Sequence, residues 1–321
     1  MDEGADRHWP TDNDNNLTEV TKFFLLGFQV NYSLRIFLFC LLLGIYCGTI
    51  CGNLLIITLV STSKNVHTPM YFFISQLSVA DVLLTNTIAP NMFHILLNGG
   101  ATMTFASCIT QFYFFDVAEA SECLLLAVMS YDRYIAICNP LRYTSIMTCA
   151  NCMKSALVSW LLAFSAILLD TITISKLIFC RSNIIDHFFC DYLPLIKIVC
   201  SDTFLVQLEV VLLSIPVIFI PTTIIIYSYV NIVLVILKIS LSSGRQKAFS
   251  TCSSHLIVVS IFYGTLFGVY IVPTKGRTQT MSKILSLLYT VFTPMINPII
   301  YSFRNEDIKK AACDWINKYI A

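Results

Sequence analysis

The dominant feature of this chain is a series of long apolar segments separated by short polar breaks. Seven of them are long enough to cross a bilayer, which takes about 20 residues, and they lie at roughly 35–60, 70–95, 109–138, 154–175, 205–238, 248–272 and 283–303. Of the 321 residues, 56% are hydrophobic and only 12% are charged, a charged share about half that of a soluble domain. The sequence therefore predicts a polytopic membrane protein with seven spans.

The spans are predicted to be helices, because a helix satisfies its own backbone hydrogen bonds in lipid. The short alternating segments of a membrane barrel do not occur. The predicted fold class is all-α, with a seven-transmembrane helix bundle over residues 34–303 and a polar N-terminal region, residues 1–33, that carries no cleavable signal peptide. In residues 304–321, Ile308, Ala312 and Trp315 recur at helical spacing, which predicts a short amphipathic helix on the inner membrane surface.

The orientation of the bundle is predicted from two glycosylation sequons near the start of the chain. They begin at Asn16 and Asn31, and glycosylation happens only on the luminal side. Asn16 is the favoured site because Asn31 abuts the first span. We therefore expect an extracellular N-terminus in a multi-pass protein of the plasma membrane, with lipid around the spans. The balance of Lys and Arg between the predicted loops supports this orientation only weakly.

The inner end of the third span carries the most informative motif. Residues 129–143 read MSYDRYIAICNPLRY, in which Asp132 and Arg133 end a long apolar segment and a Pro-containing basic stretch follows. An ionic pair at this place indicates a membrane face on which another protein docks. The run closely resembles the signature of olfactory receptors, a branch of the rhodopsin-like G-protein-coupled receptors.

Two further motifs extend the resemblance along the chain. The sixth span opens with KAFSTCSSHL at 247–256, which is characteristic of olfactory receptors, and the seventh closes with PMINPIIYSFRN at 294–305. A proline inside this helix leaves one carbonyl without its donor. Asn297, beside Pro298, is expected to bond the freed group and so to make a hinge.

The resemblance implies a signalling receptor rather than an enzyme. A small volatile odorant would bind in the outer half of the bundle, and a heterotrimeric stimulatory G protein would raise cAMP; no nucleic acid is expected as a partner. The positions implied in activation and G-protein coupling are Asp132, Arg133, Tyr134, Tyr229, Asn297, Pro298 and Tyr301.

The resemblance also implies a set of ligand-binding positions on four spans. They are Asp116, Glu119 and Ala120 on the third, Leu213 and Val217 on the fifth, Tyr263, Leu266 and Tyr270 on the sixth, and Thr290 on the seventh. For any single position, packing in the core explains the residue equally well. Only the set as a whole indicates a pocket.

Thirteen cysteines are an odd number, so at least one thiol is free. Four of them, Cys108, Cys180, Cys190 and Cys200, fall in the predicted outer segments, where the compartment permits disulfides, and sequence alone allows three pairings. The resemblance implies the pairs Cys108–Cys190 and Cys180–Cys200. His187 near Cys190 suggests a metal site, but a disulfide-bonded cysteine supplies no thiolate, and no metal is predicted.

Two acids lie inside spans, where ionisable groups are costly and usually functional. Asp81 and Glu122 have no Lys or Arg in the middle of any predicted helix to pair with. By resemblance they face each other, and two carboxylates in a low dielectric call for a shared proton or a Na⁺ ion. The alternative is a neutral acid that is hydrogen-bonded to Asn53 or Asn297. No other cofactor is expected.

Asp116 and Glu119 are specific to this chain, since olfactory receptors usually have neutral residues at these positions. They are three residues apart on one helical face, two to three turns below Cys108. Burial and mutual repulsion disfavour two negative charges there, which predicts a preference for amines over carboxylic acids. The alternative is that both acids stay neutral or solvated and bond to Tyr263, Tyr270 or Thr290.

Rival classes fit the sequence less well. A transporter would show internal repeats or paired broken helices, and a membrane enzyme would need clustered catalytic residues, whereas the histidines are scattered. A closer rival is a non-olfactory rhodopsin-like receptor for a small amine, which Asp116 and Glu119 favour. The motif that opens the sixth span opposes it.

Overall fold

A computed structural model describes residues 20–63, 66–179, 183–238, 242–270, 279–303 and 306–319 of the chain. Helices dominate this part of the protein. They are α1 (Tyr32–Thr62), α2 (Pro69–Asn98), α3 (Phe105–Cys138), α4 (Pro140–Ile146), α5 (Cys149–Ser175), α6 (Tyr192–Ile196), α7 (Phe204–Ser214), α8 (Ile220–Lys238), α9 (Ser242–Tyr270), α10 (Gln279–Leu287), α11 (Thr293–Phe303) and α12 (Glu306–Tyr319).

The helices group into the seven predicted spans. The first four are α1, α2, α3 and α5, and the sixth is α9. The fifth is α7 and α8 joined by a π-helical turn at Ile215–Phe219, and the seventh is α10 and α11 joined by a similar turn at Leu288–Phe292.

Six of these spans are long and apolar enough to cross a membrane among the residues the structure describes. The remaining span, α3, has 34 residues but carries Asp116, Glu119 and Glu122 in its outer and middle turns, which lowers its apolar character. The predicted seven-span helical bundle is confirmed.

Local sequence explains where α2 ends and α3 begins. Gly99 follows α2 with a φ of 77°, a left-handed conformation that glycine adopts without strain, and its N–H bonds to the carbonyl of Ile95 at 2.8 Å. Thr104 caps α3 by accepting the N–H of Ser107 at 3.2 Å. The short connection between the two spans is therefore fixed at both ends.

The hinge in the seventh span differs from the prediction. Because Pro298 has no N–H, it frees the carbonyl of Pro294, four residues earlier. That carbonyl accepts the Nδ2 hydrogen of Asn53 at 3.2 Å. Asn297 instead donates to both carboxylate oxygens of Asp81, at 3.0 and 3.1 Å. The amide that bonds the freed carbonyl thus comes from α1, and the predicted bond from Asn297 to this carbonyl is wrong. The part of Asn297 in activation stays a prediction.

A small sheet covers one end of the bundle, which we call the outer end after the predicted orientation. It has three strands, β1 (Lys22–Leu25), β2 (Ala101–Thr104) and β3 (Ile184–Ile185), in the order β2-β1-β3. β1 pairs antiparallel with β2 and parallel with β3, and alternate side chains of β1 are fully buried. This sheet was not predicted from the sequence.

The opposite, inner end carries the predicted amphipathic helix, α12. Ile308 and Ala311 are buried against the inner core, while Lys309 and Lys310 are exposed. Since apolar and basic side chains separate onto different faces, the predicted amphipathic C-terminal helix is confirmed.

The outward faces of several spans are themselves apolar. In the most apolar stretch of α1, only 11% of the residues are buried inside the protein. In the corresponding stretch of the fifth span, 17% are buried. Exposed leucine, isoleucine and valine side chains cover these helices. Such apolar surfaces are suited to contact with lipid. The buried core is formed by the helix faces that are turned towards α3.

Candidate functional site

A cavity of about 350 Å³ lies in the outer half of the bundle. Its walls come from α3, α5, the fifth span and α9, and residues 191–193 of the second outer loop lie over it. Most of the lining is apolar and comprises Phe112, Ala120, Cys123, Ala166, Ile167, Val210, Val211, Leu213, Val217, Ile218, Phe219, Leu266 and Phe267. A cavity of this size and character can hold a small molecule.

Seven of the nine positions predicted to bind ligand line this cavity. They are Asp116, Glu119, Ala120, Leu213, Val217, Leu266 and Tyr270. Tyr263 lies outside the lining, and its hydroxyl donates to the carbonyl of Cys123 at 3.2 Å. Thr290 also lies outside, donates to the carbonyl of Ser286 at 2.7 Å, and faces a smaller space between the first, second and seventh spans.

Four acidic side chains line the cavity: Asp116, Glu119, Asp170 and Asp191. Among the lining residues that the structure describes, there is no Lys or Arg. Glu119 and Asp170 are 8% and 9% exposed, and one carboxylate oxygen of each, Oε1 and Oδ1 respectively, has no hydrogen-bond partner. The cavity is thus apolar in area and acidic in charge.

Asp170 and Asp191 were not among the residues predicted to bind ligand. Asp170 was detectable as an acid near the outer end of the otherwise apolar fourth span. Asp191 follows the disulfide-bonded Cys190 in a loop, and no pattern in the sequence places it over a cavity. Both meet Asp116 and Glu119 only through the packing of separate elements.

Asp191 has its own hydrogen-bond donors. Its Oδ1 accepts the N–H of Tyr192 at 2.7 Å and the hydroxyl of Tyr270 at 3.0 Å. Burial raises the pKa of Asp191 to about 6, although both hydrogen bonds and Lys197 act in the opposite direction. The Tyr270 hydroxyl therefore serves Asp191, while those of Tyr263 and Thr290 serve backbone carbonyls.

A disulfide fixes the loop over the cavity. Cys108 near the start of α3 is bonded to Cys190, as predicted. Gln111, one turn along α3, accepts the N–H of Cys190 at 3.0 Å and donates to the carbonyl of Thr87 at 3.0 Å. The neighbouring Asp191 is thereby held above the third span.

Only one cysteine of the second predicted disulfide, Cys180–Cys200, is among the described residues. Cys200 is disulfide-bonded, whereas Cys180 lies outside the described residues. The pairing of these two cysteines stays a prediction.

The seventh span is tied to the same loop. Lys283 is buried, and its Nζ donates to the carbonyl of Gly27 at 2.7 Å and to Asp186 at 2.5 Å. Burial, Lys283 and Lys197 lower the pKa of the adjacent His187 to about 3, so this histidine is neutral. Among the described residues, no three His, Cys, Asp or Glu side chains are arranged so that they could hold a metal ion.

The two acids predicted to form an ion or proton site are close together. Asp81 is fully buried, accepts two bonds from Asn297 and lies within hydrogen-bonding reach of Glu122. Oε1 of Glu122 has no partner. The expected alternative, an acid bonded to Asn297, is therefore present, and a shared proton or Na⁺ stays a prediction.

The inner end of α3 contains the predicted ionic pair. Asp132 is fully buried and accepts the Nε hydrogen of Arg133 at 2.8 Å and the hydroxyl of Tyr143 at 2.9 Å. The hydroxyl of Tyr229 on α8 lies 2.5 Å from Nδ1 of His255 on α9. Tyr143 and His255 were absent from the predicted activation residues.

The other predicted activation and glycosylation residues occupy varied places. The ring of Tyr134 lies 5.9 Å from that of Tyr227, and Tyr301 on α11 is buried. Asn31 is exposed and caps α1 by accepting the N–H of Leu34 at 2.9 Å. Asn16 lies outside the described residues.

Seven membrane-spanning helices, a ligand-sized outer cavity and a buried acid–arginine pair at the inner end of the third span define the class of protein. This is the architecture of a G-protein-coupled receptor.

Comparisons with known proteins narrow the class to one family. The profile of the olfactory receptor family matches residues 39–318. The chain is 45% identical to olfactory receptor 11L1 of Homo sapiens over 92% of both chains. It is 44% identical to olfactory receptor 10A7 of Homo sapiens over 92% of this chain and 94% of that one. With olfactory receptor 5G9 of Mus musculus the identity is 42% over 93% of this chain and 95% of the relative.

The chain belongs to the olfactory receptor family. It is thus a receptor of the odorant-responsive, G-protein-coupled kind and not an enzyme. The predicted family is confirmed, and the non-olfactory alternative is wrong.

Proposed function

We propose that the chain binds a small volatile odorant in the cavity between α3, α5, the fifth span and α9. Binding activates a stimulatory G protein and raises cAMP, and the receptor works in the plasma membrane with its N-terminus outside. The observation that carries the proposal is the cavity of about 350 Å³ with apolar walls under a disulfide-tied loop. Pockets for small molecules have this volume and lining.

The geometry of α9 supports a coupling between ligand and G protein. Its outer part contributes Leu266 and Tyr270 to the cavity, and its inner part holds His255 against Tyr229 of the fifth span. A ligand that binds better to one position of α9 shifts the equilibrium towards that position. Movement of the inner part of α9 would then alter access to Arg133, which is paired with Asp132 in this state.

The proposal is tested by cAMP responses to an odorant panel in transfected cells. Ala120→Phe fills the cavity, so we expect the potency of an active odorant to fall at least about tenfold, equivalent to about 1.4 kcal/mol. Ala106→Phe is the matched control, because Ala106 is exposed on the same helix. Arg133→Ala should abolish the agonist response while surface display persists.

Two results would contradict the proposal. One is a response that neither Ala120→Phe nor Arg133→Ala changes, with both variants displayed normally. The other is an undiminished response in cells that lack the stimulatory G-protein α subunit.

A further inference from the structure

We propose that the cavity selects a protonated amine, which binds against two buried acids of its lining, Glu119 of α3 and Asp170 of α5. This inference rests on the proposed function of the cavity and names the chemical class of its ligand. The acids expected from the sequence to favour an amine were Asp116 and Glu119, which lie on one helix. In the structure, the two acids with an open oxygen are Glu119 and Asp170, which lie on different helices.

The two carboxylates are buried and incompletely bonded. Glu119 and Asp170 are more than nine-tenths buried, both line the cavity, and each has an oxygen without a partner. Buried polar atoms in folded proteins are nearly always hydrogen-bonded. A donor that enters the cavity would therefore satisfy groups that the protein itself leaves open.

The three hydroxyl groups that were predicted to bond these acids bond elsewhere or face another space. The hydroxyls of Tyr263 and Tyr270 bond to Cys123 and Asp191, and Thr290 faces away from the cavity. Lys197 acts on Asp191, and the described lining offers no Lys or Arg to Glu119 or Asp170. A hydrogen-bond donor supplied by the ligand can therefore bind to these open oxygens.

An ammonium group fits this site better than a hydroxyl or a carboxyl group. It brings three donors and no acceptor, so it can donate to an orphan carboxylate oxygen and offset negative charge. A ligand carboxylate would add like charge beside Asp116 and Asp191. The rest of the lining is apolar, which indicates an amine on a compact hydrocarbon body.

The competing arrangement keeps Glu119 and Asp170 protonated and neutral. Two neutral acids would accept an alcohol as readily as an amine, because each then both donates and accepts. Ligands that share one hydrocarbon skeleton and differ only in the polar group separate the two arrangements.

The experiment measures cAMP dose–response curves for cyclohexylamine, cyclohexanol and cyclohexanecarboxylic acid, and for 2-phenylethylamine with its alcohol and acid counterparts. We expect at least one amine to be at least about tenfold more potent than its matched alcohol and acid. Glu119→Gln and Asp170→Asn should each weaken the amine at least about tenfold while changing the alcohol less than about threefold.

Further variants separate charge from folding. Glu119→Asp and Asp170→Glu keep the charge and should retain most of the amine response. Asp202→Asn is the matched control, since Asp202 is an exposed outer acid that lies outside the cavity lining and whose Oδ1 accepts the N–H of Phe204. Surface display of every variant is measured through an N-terminal epitope.

The inference is overturned if an alcohol or an acid is preferred, if no amine in the panel acts, or if the amine response survives both amide substitutions at normal surface display. In the first case the cavity still binds an odorant and the proposed function stands. Conversely, saturable amine binding that Glu119→Gln weakens, without any cAMP response, supports the amine site and rejects the proposed coupling.

Discussion

The third span carries one buried acid in its outer half and another at its inner end, and the two acids have different surroundings. Asp132 at the inner end receives bonds from its neighbour Arg133 and from Tyr143 eleven residues along. Glu119 in the outer half has an oxygen with no partner and faces a cavity. A buried carboxylate that the chain satisfies locally has a structural or switching role, whereas one left open indicates that a partner comes from outside.

The two ends also differ in how they are held together. The outer end depends on links between distant parts of the chain: Cys108–Cys190 spans 82 residues and Lys283 reaches back 256 residues to Gly27. At the inner end, the bonds around Asp132 join residues at most 11 apart. We therefore expect substitutions at the outer end to destabilise the receptor more than those around Asp132.

The largest effect is expected from Cys108→Ser. The disulfide removes conformational entropy from a long loop of the unfolded chain, which is worth roughly 4 kcal/mol. Surface display, measured by flow cytometry, should fall to near background, and Cys190→Ser should behave in the same way. Cys40→Ser, which removes an exposed free thiol, should be displayed normally. Normal surface display of all three variants would contradict the expectation that the outer end depends on this long-range disulfide.

A smaller loss is expected from Lys283→Met at the outer end. The change leaves the carbonyl of Gly27 and one oxygen of Asp186 without their donor, and an unsatisfied buried group costs roughly 2–3 kcal/mol. The melting temperature of the detergent-solubilised receptor should fall by several degrees. Lys176→Met, at an exposed position, serves as the control. If both variants have the melting temperature of the wild type, Lys283 does not stabilise the outer end.

A pH effect should follow from Asp191. Its pKa of about 6 exceeds the unfolded value of about 4, so the folded protein binds the proton more tightly. Its contribution to stability is therefore present below about pH 4 and lost as the pH rises through about 6, by about 2–3 kcal/mol. Asp191→Asn should show a flatter melting-temperature profile over this range, and Asp202→Asn should keep the wild-type slope. A slope shared by all three proteins would contradict the assignment.

The smallest effect is expected from Tyr143→Phe at the inner end. Asp132 loses one hydrogen bond but keeps Arg133, so the cost should be about 0.5–1.5 kcal/mol. Tyr131→Phe, at a position 40% exposed, is the control for thermal melting. A loss larger than that of Lys283→Met would reverse the order of the two ends.

The spans and the ionic pair could be predicted from the sequence because both are local signals. Length and apolarity identify a membrane helix without its neighbours, and Asp132 and Arg133 are adjacent. The outer sheet was not predictable in this way, since β1 has four residues and its partners lie in two distant loops.

The residues of the cavity likewise could be predicted only where they are close together in the sequence. Asp116 and Glu119 could be grouped because they are three residues apart on one helix, whereas Asp170 and Asp191 join them only through tertiary packing. Asn297 was assigned to the broken carbonyl because it is next to Pro298. The donor in the folded protein is Asn53, 241 residues from Pro294, and no local pattern shows this pairing.

The position of β1 has a consequence for biogenesis. This strand is translated before any span, yet it is the central strand of the outer sheet. Its first partner, β2, follows two spans later and its second, β3, follows four spans later. In the proposed orientation, the nascent N-terminal segment would wait outside the bundle, with Phe23 and Leu25 uncovered, until the loop containing β3 has been translocated. Closure of the sheet is therefore a late step of folding, because it joins segments that lie before, within and after the first four spans.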